Sequence, residues 1–241
     1  ENKNLPADTV APAVIETTAI EIPSARKFPS PFYQDSVFIN DSHSFVNHAG
    51  ESDSVEFHLS GYFPQSGNPL HKKFNTAIRK KTEEYLNDFK DGENYSTDYI
   101  TAEISATSLE YDSIVQMVST GFMYQSFSEG AAHYNHGFLT FNYDLKENKE
   151  IHLTDLLLFK NEDEKQKFCD AINPFPYPVS GEVYLEPRDF SATQDFEIIY
   201  DGIKLYFDDY EKGPSMTYIH IPYHKFRGYV NKKYTKLFDQ E

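Results

Sequence analysis

The chain has 241 residues, with 22 Lys and Arg against 38 Asp and Glu, for a net charge of −16. That balance excludes nucleic-acid binding, which needs clustered cations against phosphate, and no apolar run reaches the roughly eighteen residues that a membrane-spanning helix requires. Hydrophobic residues make up 39% of the chain and aromatic residues 16%, which is enough to bury a core in one large domain or two packed subdomains.

Residues 1–31 carry Pro6, Pro12, Pro23, Pro29 and Pro31 among Thr and Ala, and read as an extended tether. The chain opens on Glu1 without a basic and apolar leader, as expected of a mature chain whose targeting segment has been removed. A tether after a removed leader fits a bacterial lipoprotein or a membrane-anchored ectodomain. Val14, Ile20 and Ile22 fit a first strand equally well.

Two subdomains are expected beyond the tether, at 32–97 and 98–241. In the first, Val55 to Phe63 alternates as a strand. A helix follows, with Asn68 as N-cap, Pro69 at its first position and Gly92 as its stop. Leu70, Phe74, Ala77, Ile78, Tyr85 and Phe89 recur on its inner face, and Lys72, Lys73, Arg79 and Lys80 share the outer one.

The second subdomain opens with Tyr99 to Ala106, Ser113 to Phe127 (bulged near Gly121) and Gly137 to Leu145, an antiparallel meander. Leu139, Phe141, Tyr143 and Leu145 share one face of its last strand. Thr154 caps a short turn through Leu158. Asn161 and Glu164 form a capping box before a helix that holds Phe168, Cys169 and Ile172, and Pro174, Pro176 and Pro178 end it. Asp201-Gly202 between Phe196–Tyr200 and Ile203–Phe207 is the strongest hairpin signal in the chain. Met216 to Ile221 is a further strand, Pro222 opens a short helix, and Asn231 to Glu241 is expected to fray. The class is α+β: an antiparallel sheet with helices packed on one face, in two closely packed subdomains.

Chemistry-bearing motifs are sparse. There is no GxSxG elbow, phosphate-binding loop, HExxH pair or CxxC pair. Cys169 stands alone without a neighbouring cation to activate it and reads as a half-buried structural thiol. His133 and His136 are spaced for metal ligation, but on a loop that spacing is weak, and neither a metal nor a cofactor is assigned. His220 and His224 are divided by Pro222 and read as separate residues. Asp208, Asp209 and Glu211 lack the pattern of a calcium loop. Asn40 and Asn94 sit in glycosylation-type triplets that arise readily by chance. Tyrosines at strand ends and in loops, Tyr134 and Tyr210 among them, suit protein or glycan contact because they bring area at low entropic cost.

Residues 129–158 carry a resemblance. Gly130-Ala131-Ala132-His133, then Asp144-Leu145, then Leu153-Thr154-Asp155-Leu156 follow the order of a bacterial envelope family. Tyr206-Phe207, Tyr210, Gly213 and Ile221-Pro222-Tyr223 continue it. The chain resembles the extracellular lysozyme-sensing domain of the RsiV-type anti-sigma factor, and the similar non-catalytic N-terminal region of a peptidoglycan deacetylase. The match runs from about Tyr99 to Tyr229, with a weaker one over Val55 to Asp91. Ala131 replaces the second glycine of the family loop and Pro214-Ser215 replaces a small-residue segment.

The resemblance implies a non-enzymatic protein of the cell envelope, periplasmic, surface-anchored by lipid or secreted. Its partner would be a basic protein such as lysozyme, or peptidoglycan. An acidic chain attracts a basic enzyme of that kind. The expected contact set is Gly130, Ala132, His133, Tyr134, His136 and Tyr210, displayed by loops at one end of the sheet. The alternative is an accessory domain or hydrolase acting on cell-wall glycan, with His133 and carboxylates as acid and base.

Overall fold

The structure is a computed structural model and describes residues 31–46, 50–91, 99–128, 135–173, 184–207 and 217–238. The N-terminal tether therefore lies outside the described residues. Two sheets organise the rest. The larger has six strands in the order β1 (Phe32–Val46), β2 (Ser52–Ser66), β3 (Tyr99–Asp112), β4 (Met117–Ser128), β5 (Asn135–Asp144) and β6 (Lys149–Glu150). The smaller has β7 (Phe196–Ile199), β8 (Gly202–Phe207) and β9 (Thr217–Pro222).

The expected antiparallel meander β3-β4-β5 is present, but the sheet as a whole is mixed. β2 and β3 run parallel, with Leu59 opposite Ala102 and Tyr62 opposite Ser105. The cause lies in the connection: the helix α1 (Lys72–Asp91) joins them, and a helical crossover returns the chain in the same direction. The expected boundary at 97/98 falls in this crossover, outside the described residues. β1 is a strand that the sequence analysis did not mark. It pairs with β2 over 15 residues without a register shift.

Asn68 caps the start of the helical segment by accepting a hydrogen bond from the Leu70 amide, and Pro69 opens a single 3-10 turn before α1. Phe74, Ile78, Thr82 and Leu86 form the buried stripe of α1. Leu70 does not join it. It sits in the 3-10 turn, whose tighter pitch rotates it outward, and it is 84% exposed. The stripe packs on Leu59, Phe63, Ile104, Val118, Phe122, Phe141 and Tyr143 from one face of the large sheet.

The small sheet lies on the other face, over β4 and β5, and closes a second core with the helices α2 (Leu153–Leu156), α3 (Glu162–Ile172) and α4 (Tyr223–Phe226). The capping roles at α3 are as expected: the Glu164 amide donates to Asn161 Oδ1 at 2.9 Å. α2 begins one residue before Thr154. His152 is its N-cap, and its amide donates to the Asp155 carboxylate. Cys169 is fully buried.

The expectation of a frayed tail is overturned for residues 231–238. Tyr234, Leu237 and Phe238 are buried in the second core, and Phe238 stacks on Tyr223 at 4.8 Å. Three contiguous apolar groups outweigh the polar composition around them.

In the hairpin, Ile199 faces Gly202, so Tyr200 and Asp201 make the turn and Gly202 opens β8. Gly202 is required for room: a Cβ there would lie 2.2 Å from the Ile221 carbonyl oxygen.

Candidate functional site

Of the expected contact residues, Gly130, Ala132, His133 and Tyr134 fall in segment 129–134, and Tyr210 falls in 208–216, both outside the described residues. The backbone of His136 lies in β5, opposite Gln125 of β4. Asp208, Asp209 and Glu211 are outside as well. What the structure describes is the pair of strand ends from which these segments depart.

Those ends are in contact. Phe138, two residues into β5 from His136, lies 4.4 Å from the ring of Tyr206, which immediately precedes the last residue of β8. Tyr206 in turn meets Tyr218 of β9 at 5.9 Å. The strands that flank 129–134 and those that flank 208–216 thus share one aromatic row. On the opposite face the β4–β5 pair is clamped. The Tyr124 ring covers Gly137, where a Cβ would come within 1.7 Å of the ring, and Tyr85 of α1 packs on Tyr124 at 5.3 Å.

Beneath the row is a charged cluster. Glu197 of β7 is 1% exposed. Its carboxylate accepts from the Tyr206 hydroxyl at 2.7 Å and faces the Lys204 ammonium at 3.6 Å. Burial, with the neighbouring Glu197 carboxylate, pushes the Tyr206 hydroxyl far above its ordinary pKa. Glu110 of β3 is pushed up by burial and by Glu197, with Lys204 opposing. Lys204 also lies over the ring of Tyr218 at 5.1 Å.

A second polar set joins the two sheets. β7 presents its outer edge to the face of β4 and β5, and side chains there complete its backbone hydrogen bonds. The Phe196 amide donates to Thr140 Oγ1 at 2.9 Å, and the Phe196 carbonyl accepts from Asn142 Nδ2 at 2.8 Å. The Ile198 amide donates to Ser119 Oγ at 2.9 Å, and Ser119 donates to Asn142 Oδ1. Asp195 Oδ1 takes both the amide and the hydroxyl of Thr140. Beside this joint, an open groove of about 320 Å³ is lined by Lys81, Glu150, Thr140, Gln194 and Asp195. Two of these residues, Lys81 and Glu150, form an ion pair.

The sequence reading missed this joint, because alternation alone assigns Thr140, Asn142 and Asp144 to solvent. The available signal was an amide in mid-strand, where a side chain with both donor and acceptor can stand in for backbone.

The motifs that carry the family resemblance have structural roles here. Asp144 is buried and accepts from the Glu147 amide at 2.8 Å and from Lys233. Burial opposes its charge, but the Lys233 ammonium and the turn amides prevail and hold it below the usual carboxylate range. Leu153 and Leu156 are core, and Asp155 caps α2. Ile221 is core, and the Tyr223 amide donates to the Asp201 carbonyl. His220 Nε2 and Asp201 Oδ1 face each other at 3.2 Å, both buried and aligned too poorly for a hydrogen bond.

Among the described residues, no three His, Cys, Asp or Glu side chains gather to hold a metal ion, and no helix is long and apolar enough to cross a membrane.

No protein-family model and no curated protein sequence matches the chain. Solved structures similar to the chain include two from bacteria. A DUF3298 family protein from Pseudomonas aeruginosa PAO1 superposes with a TM-score of 0.50 at 16% identity, covering 87% of this chain and 98% of the other. A member of the same family from Bacteroides fragilis gives 0.45 at 15% identity, covering 84% and 95%. The first likeness is one of fold: the α+β arrangement occurs in a bacterial domain of unknown function.

Proposed function

We propose that this is a non-enzymatic binding protein of the bacterial cell envelope, secreted or lipid-anchored, that captures a basic protein of the lysozyme type. The contact set is Gly130, Ala132, His133, Tyr134, His136 and Tyr210. The observation that carries the reading is the contact of Phe138 with Tyr206: it joins the two strand pairs that lead into segments 129–134 and 208–216. The clamp of Tyr124 and Tyr85 over Gly137 gives one of these segments a rigid base. The net charge of −16 favours encounter with a cationic partner.

The finer resemblance to the lysozyme-sensing domain supports this choice of partner, and the envelope location rests on the same resemblance. The alternative, hydrolysis of cell-wall glycan, requires an accessible acid and base. Glu197 is 1% exposed and holds the Tyr206 hydroxyl, so it does not supply that pair, and His133, on which the alternative calls, lies outside the described residues.

Titration calorimetry of the chain with a hen-type lysozyme at low ionic strength tests it. A complex is expected, weakening as salt rises. His133→Ala and Tyr210→Ala should each weaken it by about tenfold without moving the unfolding midpoint. Absence of a complex at low salt removes lysozyme as the partner, and turnover of peptidoglycan by the pure protein removes the non-enzymatic reading.

A further inference from the structure

The two faces of the large sheet are covered unequally. α1 packs on one face, against Leu59, Phe63, Ile104 and Phe141. On the other face the small sheet rests on β4 and β5. The same face of β1 and β2 is open. Val37 and Ile39 turn toward α1, so Phe38 between them turns away, and it is 67% exposed. Tyr62, between buried Gly61 and Phe63, turns the same way and is 42% exposed. Phe38 lies opposite Ser60 and Tyr62 opposite Ser36, which makes the two rings diagonal neighbours on adjacent strands.

The chemistry of this face sets it apart. Charged residues make up 25% of the chain, yet β1, β2, β3 and β4 hold no Lys or Arg. Around the two rings the side chains are neutral amides and hydroxyls, with His58. Asn40 and His58 hold each other at 3.1 Å, which fixes polar groups on the face that carries Phe38. The register carries the face on toward the small sheet. Tyr62 lies opposite Ser105, Ser105 opposite Met123, and Met123 opposite Phe138. This transverse row spans three strand spacings, about 14 Å. It ends where Phe138 meets Tyr206 and Tyr206 meets Tyr218, which is 44% exposed.

We infer that this row is a binding track for an uncharged glycan chain laid across the strands from Phe38 and Tyr62 toward Tyr218. A sugar ring offers an apolar face of C–H groups, which stacks on an aromatic ring, and a rim of hydroxyls, which bond to amides, hydroxyls and imidazole. The track supplies both and asks for no charge. An anionic chain finds no cation on β1 to β4. A cationic protein drawn to the net charge of −16 finds one carboxylate beside the row, Glu103, so charge directs such a partner elsewhere on the molecule. The track is therefore a second surface, and it does not depend on capture of a basic protein.

Titration calorimetry of the full chain with two neutral extended glycans, chitohexaose and cellohexaose, tests the inference. Saturable binding of at least one is expected, with the same affinity at low and high salt because the contacts carry no charge. The matching disaccharide should bind at least about tenfold more weakly, since it cannot span the row. Phe38→Ala and Tyr62→Ala should each weaken the hexasaccharide complex about tenfold with an unchanged unfolding midpoint. Leu70→Ala, which removes a more exposed apolar side chain from the 3-10 turn, should leave it unchanged.

Binding of neither hexasaccharide overturns the inference. So does binding that survives both ring variants, or that Leu70→Ala weakens equally. If the ring variants abolish capture of a hen-type lysozyme and no glycan binds, the face belongs to a protein partner and the track is refuted. Lysozyme capture weakens as salt rises and glycan binding does not, so the two readings fail separately.

Discussion

The two faces of β5 show two ways of burying a strand. Toward α1, Phe141 and Tyr143 enter an apolar core with Phe74 and Ile78. Toward the small sheet, Thr140, Asn142 and Asp144 are buried as well, yet each is satisfied by a named partner: the β7 backbone for the first two, and Lys233 with the Glu147 amide for the third. The first face gains stability by removing area from water, and its partners are interchangeable hydrocarbons. The second gains little from area, and depends on every donor finding its acceptor. One face is therefore tolerant of conservative change, and the other specifies how the second sheet docks.

The comparison breaks first at Phe74. Phe74→Ala removes a fully buried ring from the apolar face and should cost about 4 kcal/mol in denaturant unfolding. On the polar face, Asn142→Leu retains volume but strands the Phe196 carbonyl and the Ser119 hydroxyl. It should cost about 3 kcal/mol, and the loss should exceed that of Phe141→Leu on the apolar side. If the two leucine variants prove equally mild, the joint does not specify docking.

Asp144→Asn should cost about 2 kcal/mol at neutral pH and should also flatten the acid limb of the stability profile. The sign follows from the lowered folded-state pKa. The stabilisation is full above the ordinary carboxylate range and is lost as the pH falls below it, because the unfolded state then takes up the proton first. Stability measured from neutral pH to strong acid would show the wild-type chain converging on the variant. The smallest effect is expected at Leu70. Leu70→Ala should change stability by less than about 0.5 kcal/mol, since the side chain is exposed despite its helical spacing.

Much of the architecture was legible. Asn68-Pro69 and Asn161 marked helix starts, and period-two alternation marked β3, β4 and β5. The Asp201-Gly202 pair placed the hairpin between β7 and β8, although Gly202 is needed for space beside Ile221 and not for the turn itself. Leu70 was misplaced because a 3-10 turn precedes α1 and breaks the helical phase. The parallel β2–β3 pair was missed because pairing direction depends on where a crossover helix lies, which no local pattern encodes.

The candidate site was legible only as composition. The sequence offers histidines and tyrosines in connecting segments, but that the strands flanking 129–134 and 208–216 meet at Phe138 and Tyr206 depends on bringing together two residues more than sixty positions apart in the chain.

By itself, then, the sequence determined the apolar face of β5, the capped helix starts at Asn68 and Asn161, and a strongly acidic net charge, since these are properties of neighbours along the chain and of summed charge. Only the tertiary structure decided that the polar face of β5 is interior and that the C-terminal residues through Phe238 dock on the second core. Those outcomes depend on which distant backbone comes to lie over a surface, and a buried hydroxyl or amide is stable or costly according to whether that backbone brings it a partner.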